Sequence, residues 1–419
     1  MHDLLTGDAA AAWGARLAEA DYVPAFPVTP QTEIIELLSH WIARGDLAAR
    51  LVTLDSVPSM LTAAGGAAAT GARVFTASPS QGLLRGLDVL YTVASWRAPF
   101  VLVNVSQALA APITLGPDHS DILAARDTGF LQIHTETCQE VLDSVLMAYR
   151  LAEHPDVRLP ALVNLDGFYL SSTCEPVELP AVEAVREFLP PYDPGGAPFA
   201  ASQAVAQGAS VLGGSAYTFF KGQMQRATEA ALCAHDAIGG DFCDAFGRCY
   251  GAVEAYRLDD AERVIVICDS FSRVGKAEVA RLRSRGERIG LLRLRLIRPF
   301  PRAEIAWLLG GRRAVAVIDQ NISLGKGGIL FAEVASAFTE AAPPLLSFVS
   351  GLGGRRFRPG EFDRIVAALH KAEQEGGAAE PQLLFTDSEY KQLREIMRVA
   401  QGNGAGSHAP ARRDRPPAD

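Results

Sequence analysis

The chain has 419 residues, more than a single hydrophobic core ordinarily serves, so two domains joined by connections are expected. A composition of 48% hydrophobic and 21% charged residues is that of a globular protein. No membrane span is expected, because no stretch of about 18 apolar residues runs free of charge or of Gly and Pro, and the opening MHDLLTGDAAAAWGARLAEAD lacks the basic-then-apolar order of a secretory signal. The net charge of −9 argues against a nucleic-acid surface, and Cys138, Cys174, Cys233, Cys243, Cys249 and Cys268, with no CxxC, read as scattered free thiols in a reducing cytoplasm rather than as cluster ligands.

Apolar residues recur at helical spacing over residues 3–20. DYVPAFPVTP reads as a strand stopped by Pro27 and Pro30, and PVTPQTE opens a helix through IIELLSHWIARG, with Thr29 or Thr32 as the cap and Glu33 in its first turn. LVTLDS is the next strand. Side chains alternate along a strand, so Asp55 and Val57 would share a face; Asp55 beside Ser56 also fits a helix N-cap. Between Met60 and Arg73 nearly every residue is Ala, Gly or Thr, which lets a helix approach neighbouring backbone or a flat ligand closely.

Strand RVFTAS, the small-residue turn SPSQG, helix GLLRGLDVLYTVASW and strand PFVLVNV continue a β-α alternation that implies a parallel sheet covered on both faces. Residues 51–129 thus organise this half, either as a ligand crevice at strand ends or as tight helix packing in an ordinary core. The long loop SQALAAPITLGPDHSDILAARDTG carries His119 between Asp118 and Asp121, read as a hydrogen-bonded hinge before a metal site, and Arg126–Asp127, read as a structural ion pair. A helix (CQEVLDSVLMAYRLAEH) and a strand (RLPALVNLDGF) complete the unit. The Pro-, Ala- and Gly-rich text over 175–202 reads as a surface connection, and helical text follows from about Phe219 through Ala255.

A second α/β unit begins at strand RVIVICDS. It continues through helix GKAEVARLRSRG, strand GLLRLRLIRPF, helix PRAEIAWLLGG, strand RAVAVIDQN, Gly-rich ISLGKGG, helix ILFAEVASAF and a final strand near LLSFVSGLGG. The expected boundaries are 1–255, 256–370 and a 371–419 extension with one helix, SEYKQLREIMRVA, whose last 18 or so residues are compositionally disordered. No GxGxxG follows a strand, LGKGGIL is too short for a phosphate loop, and GxSxG is absent. Periodicity alone names no reaction.

Several strings do. PVTPQTE, TASPSQG, ALAAPI, DHSD, AARDTGF, LDGF, FGRCYGAVEAYRLDDAE, IRPFP, DQNISLGKGG and GLGGR stand in order across both units. On them the chain resembles, from Tyr22 to Leu369, the α subunit of the 2-oxoacid:ferredoxin oxidoreductases, thiamine-diphosphate enzymes that oxidatively decarboxylate a 2-oxoacid, usually to an acyl-CoA. The resemblance implies a pyrimidine-binding-type domain followed by a transketolase C-terminal-like domain. It also implies thiamine diphosphate and Mg²⁺ shared with a β subunit, because the GDG motif that grips them is absent here. Fe–S clusters would lie on β, γ and ferredoxin-like chains, and electrons would pass to ferredoxin or to an NAD-linked flavin subunit with FAD.

By the same resemblance, Thr29 matches the family's substrate-contacting Thr. Ser80 and Gln81 of the SQG turn and Asp118 and His119 of DHSD take the cofactor side, and no metal ligand falls on this chain. Two positions depart from the family. Its catalytic Glu, which bonds the pyrimidine N1′, falls on Val57, and the Arg that grips the substrate carboxylate falls on Gln107, which can donate a hydrogen bond but carries no charge. Three readings follow: an active enzyme without the acid, as in glyoxylate carboligase with its apolar residue there; Asp55 as a replacement acid; or a degenerate scaffold subunit. The lost charge points to an aryl 2-oxoacid, with phenylglyoxylate the nearest guess.

Overall fold

A computed structural model describes residues 2–110, 112–194, 199, 202, 208, 210–339 and 342–400. It divides into one compact unit, Met1–Gln382, and a second, Leu383–Asp419. In chain order the first sheet's region holds β1 (His2–Leu5), α1 (Gly7–Leu17), β2 (Tyr22–Ala25), α2 (Thr32–Arg44), β3 (Arg50–Thr53), α3 (Val57–Ala69), β4 (Phe75–Pro79), α4 (Ser80–Arg85), α5 (Leu87–Ser95), β5 (Val101–Ser106), α6 (Ser120–Ala124), β6 (Leu131–His134), α7 (Cys138–Ala152) and β7 (Ala161–Asp166). Then come β8 (Glu175–Glu178), α8 (Val182–Phe188) and the 33-residue α9 (Gly214–Phe246).

The second sheet's region holds β9 (Val253–Tyr256), β10 (Arg263–Cys268), α10 (Ser272–Ser284), β11 (Ile289–Leu294), β12 (Leu296–Arg298), α11 (Arg302–Leu309), β13 (Ala314–Asp319), α12 (Ile329–Ser336), β14 (Leu345–Val349), α13 (Pro359–Glu375) and β15 (Ala378–Leu383). α14 (Asp387–Ala400) belongs to the second compact unit.

The first sheet runs β12-β6-β7-β5-β4, and the parallel pair β2-β3 adjoins it through a bridge from Tyr22 to Val74. The second runs β15-β14-β13-β10-β11-β9, with β10, β11, β13 and β14 parallel. Strands β4, β5, β7, β10 and β13 are buried along their whole length, as near-continuous apolar runs demand when both sheet faces are covered. α1 starts where the Thr6 hydroxyl accepts from the Ala9 N–H at 3.0 Å, and its Gly14 lets it close on α7: a Cβ there would stand 2.7 Å from Val145 Cβ. The Ala/Gly helix α3 uses its low bulk in the same way, since a Cβ at Gly65 would meet Val93 of α5 at 2.6 Å.

Several expectations are corrected. The helix expected from residue 3 is preceded by β1, which pairs antiparallel with β8, so the 175–202 connection carries a strand and the helix α8, with Val177, Val185 and Phe188 in the core. GLLRLRLIRPF is two strands: β11 stays in the second sheet while β12 crosses to pair antiparallel with β6 of the first. The boundary expected between residues 255 and 256 falls inside β9.

The four-residue β6 and the helix α13 were not read from the sequence at all. α2 begins at Thr32 after Gln31, whose amide is spent on the Phe26 carbonyl at 3.0 Å, so neither Thr29 nor Thr32 caps it, while Glu33 does lie in its first turn. Cys243 and Cys249 are joined as a disulfide, leaving Cys138, Cys174, Cys233 and Cys268 free rather than six scattered thiols. Among the described residues no helix is long and apolar enough to cross a membrane. The expected disordered C-terminus lies outside the described residues.

Candidate functional site

The C-terminal ends of the two sheets face each other. The His119 N–H donates to the Gln320 carbonyl just past β13 at 3.0 Å, and His134 at the end of β6 reaches Asp269 just past β10. Crevices at such carboxyl edges are where α/β sheets hold ligands.

One flank is built by the starts of α3 and α4. β3 stops at Thr53, and Ser56 caps α3 by accepting from the Ser59 N–H at 3.3 Å, with Pro58 in the first turn. Asp55 and Val57 therefore share no strand face. Asp55 is exposed and accepts from the Ser56 hydroxyl at 3.3 Å, and bonds from Ser59 and Ser56 hold its carboxyl below the usual range. Val57 is 3% exposed, with its methyls against the backbone of Gly82 and Gly86: Cβ atoms at those glycines would lie 3.2 and 3.3 Å away. Next to them the buried Ser80 hydroxyl donates to the Gln107 carbonyl, while Gln81 is exposed.

Gln107 opens the loop after β5. Its Nε2 donates to the Thr114 carbonyl at 3.0 Å, and the Ala108 N–H donates to the Gly116 carbonyl at 3.0 Å, so one of the two amide N–H groups is spent closing its own loop. The exposed Thr29 precedes Pro30 through a cis peptide, and Pro30 packs against Gly167, which also lies under the Ser106 carbonyl. Asp118 accepts from the Ser120 N–H at 2.8 Å and so begins α6.

His119, by contrast, turns inward into a buried polar network. Its Nε2 is 2.9 Å from Asp166 Oδ1 and 3.4 Å from Asp269 Oδ2, and His134 Nδ1 is 2.7 Å from that same Asp269 oxygen. The Ser270 hydroxyl donates to Asp166, Asn164 Nδ2 donates to Asp269 Oδ1 at 3.0 Å, and Ser106 and Asn104 donate to Asp121 at 2.7 and 3.0 Å. Burial alone would lower the His119 pKa, but Asp269, Asp166 and Asp121 outweigh it and push it up to about 10. Burial raises Asp121 to about 6. Asp269, though buried, is held well below its ordinary value by His119 and His134.

The geometry thus buries Val57 and Ser80 at the starts of α3 and α4, leaves Gln107 half-buried and Asp55, Thr29 and Gln81 exposed, and draws His119 into the interior. Arg126 and Asp127 form the expected ion pair, at 3.7 Å, and each has a second partner, Arg126 with Glu333 and Asp127 with Arg298, both at 3.3 Å. Sequence reasoning missed Asp166, Asp269, His134, Asn104 and Asn164. The signal was an acid closing a buried apolar strand, as in VNLDG and VICDS. Toward thiamine diphosphate the flank presents the starts of α3 and α4, where the Val57 methyls already cover Gly82 and Gly86. It does not give the carboxylate the pyrimidine needs, because Asp55, the acid nearest Val57 in sequence, faces solvent; the residues present do not fit the activation of the ring.

Family models match most of this unit. Residues 13–234 match the thiamine-diphosphate-binding region of pyruvate flavodoxin/ferredoxin oxidoreductases, and residues 261–362 match core domain II of pyruvate:ferredoxin oxidoreductase. The pyruvate synthase subunit PorA of Methanocaldococcus jannaschii is 40% identical over 375 residues, 89% of this chain and 96% of the relative. The ketoisovalerate oxidoreductase subunit VorA of Pyrococcus abyssi is 37% identical over 376 residues, 89% of this chain and 94% of the relative. Among solved structures, a 2-oxoglutarate:ferredoxin oxidoreductase from Magnetococcus marinus shares the fold at a TM-score of 0.70 and 17% identity; the match covers 89% of this chain and 65% of that one. A split-gene transketolase shares it at a TM-score of 0.51 and 10% identity, over 87% of this chain and 97% of that one.

Proposed function

The chain belongs to the 2-oxoacid:ferredoxin oxidoreductase family as an α subunit, and from that premise we propose that it forms, with partner subunits, an enzyme that oxidatively decarboxylates a 2-oxoacid to an acyl-CoA. The C1–C2 bond of the 2-oxoacid breaks and CO₂ leaves, the acyl carbon joins the CoA sulfur as its S–H bond breaks and releases a proton, and two electrons pass to Fe–S clusters. A β subunit bearing GDG supplies the diphosphate and Mg²⁺ grip. The γ and ferredoxin-like subunits carry the clusters, and ferredoxin or an NAD-linked flavin subunit with FAD accepts the electrons in the cytoplasm.

The substrate reading rests on the identities of Val57 and Gln107 at the two positions where the family has its Glu and Arg. Neither residue is an acid or a cation, and one Gln107 amide N–H is bonded to Thr114, so a 2-oxoacid with an apolar side chain, an aryl one such as phenylglyoxylate, suits them better than one needing a charged clamp. The assembled complex, assayed for CoA-dependent dye reduction, is expected to show a higher kcat/KM for phenylglyoxylate than for pyruvate or 2-oxoisovalerate. Preference for pyruvate overturns the aryl reading. Turnover of no 2-oxoacid favours a second reading, a catalytically degenerate scaffold, whose support is Val57 packed shut where the family places its acid.

A further inference from the structure

The 107–118 loop that carries Gln107 is closed within itself by the Gln107–Thr114 and Ala108–Gly116 bonds, so it moves as one piece. On the first-sheet side the Ser80 hydroxyl donates to the Gln107 carbonyl and the Ser106 hydroxyl donates to the Asp118 carbonyl at 3.1 Å; the loop's other contacts lie on the side of the second sheet. The Gly354 N–H donates to the Pro117 carbonyl at 2.9 Å, the Thr114 hydroxyl donates to the Gly353 carbonyl at 3.3 Å, and the His119 N–H donates to the Gln320 carbonyl. At the loop's end, the His119 ring stands between Asp166 at the end of β7 and Asp269 just past β10, one carboxylate from each sheet.

We infer that His119 is a positioning residue, which fastens the 107–118 loop across the two sheets and so sets the place of Gln107 in the crevice.

The fastening is built rather than incidental. Asp269 holds a left-handed backbone, φ 55°, which costs a non-glycine residue on the order of 1 kcal/mol. That conformation brings one oxygen to His134 and His119 and the other to Asn164. Asp166 is in turn fixed by Ser270, so both acids are oriented before the imidazole arrives. The charges around His119 are Asp166 on β7, Asp269 after β10 and Asp121 on α6, with Asp319 on β13 and the His134 ring 6.2 Å away, centroid to centroid. This surplus of acid favours the protonated imidazole, whose Nε2 faces both carboxylates while Nδ1 is buried without a hydrogen-bond partner among the described residues.

The kinetic half of the test rests on the proposed 2-oxoacid reaction; the structural half does not. In the assembled complex, His119→Asn is expected to speed amide hydrogen exchange over residues 107–118 about tenfold, while β5 and β13 keep their protection. It should raise the KM for the 2-oxoacid about tenfold with kcat within roughly twofold, because a loosened loop weakens binding before it touches chemistry. Asp269→Asn, which keeps the side-chain shape and removes the anion, should move both readouts the same way by less. Unchanged loop exchange, exchange that rises equally through both sheets, or a fall in kcat at constant KM would each overturn the inference. If the complex turns over no 2-oxoacid at all, the proposed function fails while the exchange measurement still decides the role of His119.

Discussion

Arg295 Nε lies 2.6 Å from Glu140 Oε1, an ion pair sealed inside the protein where the chain passes from β11 to β12. Arg293 binds the same carboxylate through two contacts of 2.9 and 3.0 Å, and Arg295 also donates to the Ser144 hydroxyl. Glu140 sits on α7, which covers the first sheet, and Arg293 on β11 of the second, so this one carboxylate ties the two together. Removing one member of a buried pair strands the other charge, so Glu140→Gln should destabilise the chain by about 3–5 kcal/mol in a denaturant titration. The pH dependence has a definite sign. Burial opposes the Glu140 charge, but Arg293 and Arg295 hold its pKa below the ordinary 4.5; the stabilisation is therefore present above that value and lost as pH falls through the lower folded one.

Val57→Glu tests whether the family's acid position is open in this protein. The Val57 side chain packs against Gly82, Gly86 and the apolar cluster that includes Leu61 and Leu83, so a carboxyl placed there loses water without gaining a partner. Stability should fall by about 2–4 kcal/mol, read as a lowered Tm. A Tm within a degree or two of the wild type would show that the start of α3 is accessible and that Val57 is not walled in.

How much of this was legible follows from which forces act locally. The buried strands and the helices α2, α3, α7 and α10 were readable because periodicity and Gly/Pro punctuation are local signals, whereas the α3 cap expected at Asp55 is Ser56. The departure of β12 to the first sheet was not readable, because Leu296 and Ile297 are as apolar as the β11 residues before them and only the partner strand decides where they pair. Asp55 and Val57 were misplaced for a related reason: LVTLDS suits a strand to its end, and the helix cap wins only once Ser56 meets the Ser59 N–H. The charged interior was the hardest part. His119, His134, Asp166 and Asp269 are 150 residues apart at their extremes, from His119 to Asp269, and nothing in local spacing shows that two sheets bring their strand ends to one point.

The Cys243–Cys249 bond closes a seven-residue segment around the left-handed Gly247 at the end of α9. Loop-closure entropy for a ring this small corresponds to about 2 kcal/mol. The double variant Cys243→Ser, Cys249→Ser should lower Tm accordingly, while reduction and alkylation of the native chain should add two labels beyond those of the four free thiols. Six labels without reductant would mean that the thiols do not pair.

Asp8 offers the clearest pH test away from the crevice. It is 2% exposed in the first turn of α1, its Oδ1 has no hydrogen-bond partner, and Glu33 is close by, itself accepting from the Thr6 hydroxyl at 2.8 Å. Burial first, and Glu33 second, raise its pKa from 3.8 to about 8. A carboxyl raised on folding works against stability: below 3.8 it is protonated in both states and contributes nothing. As pH rises towards 8 the unfolded chain ionises while the folded one holds its proton, so stability falls across that window and levels off above it. Asp8→Asn removes the ionisation and keeps the shape. It should therefore raise stability at pH 7 by on the order of 4 kcal/mol, with no effect below pH 3.8, and should flatten the fall between pH 4 and 8. Denaturant titrations of both proteins at pH 4, 6 and 8 check this, and parallel curves would show that Asp8 is ionised in the folded state with a partner of its own.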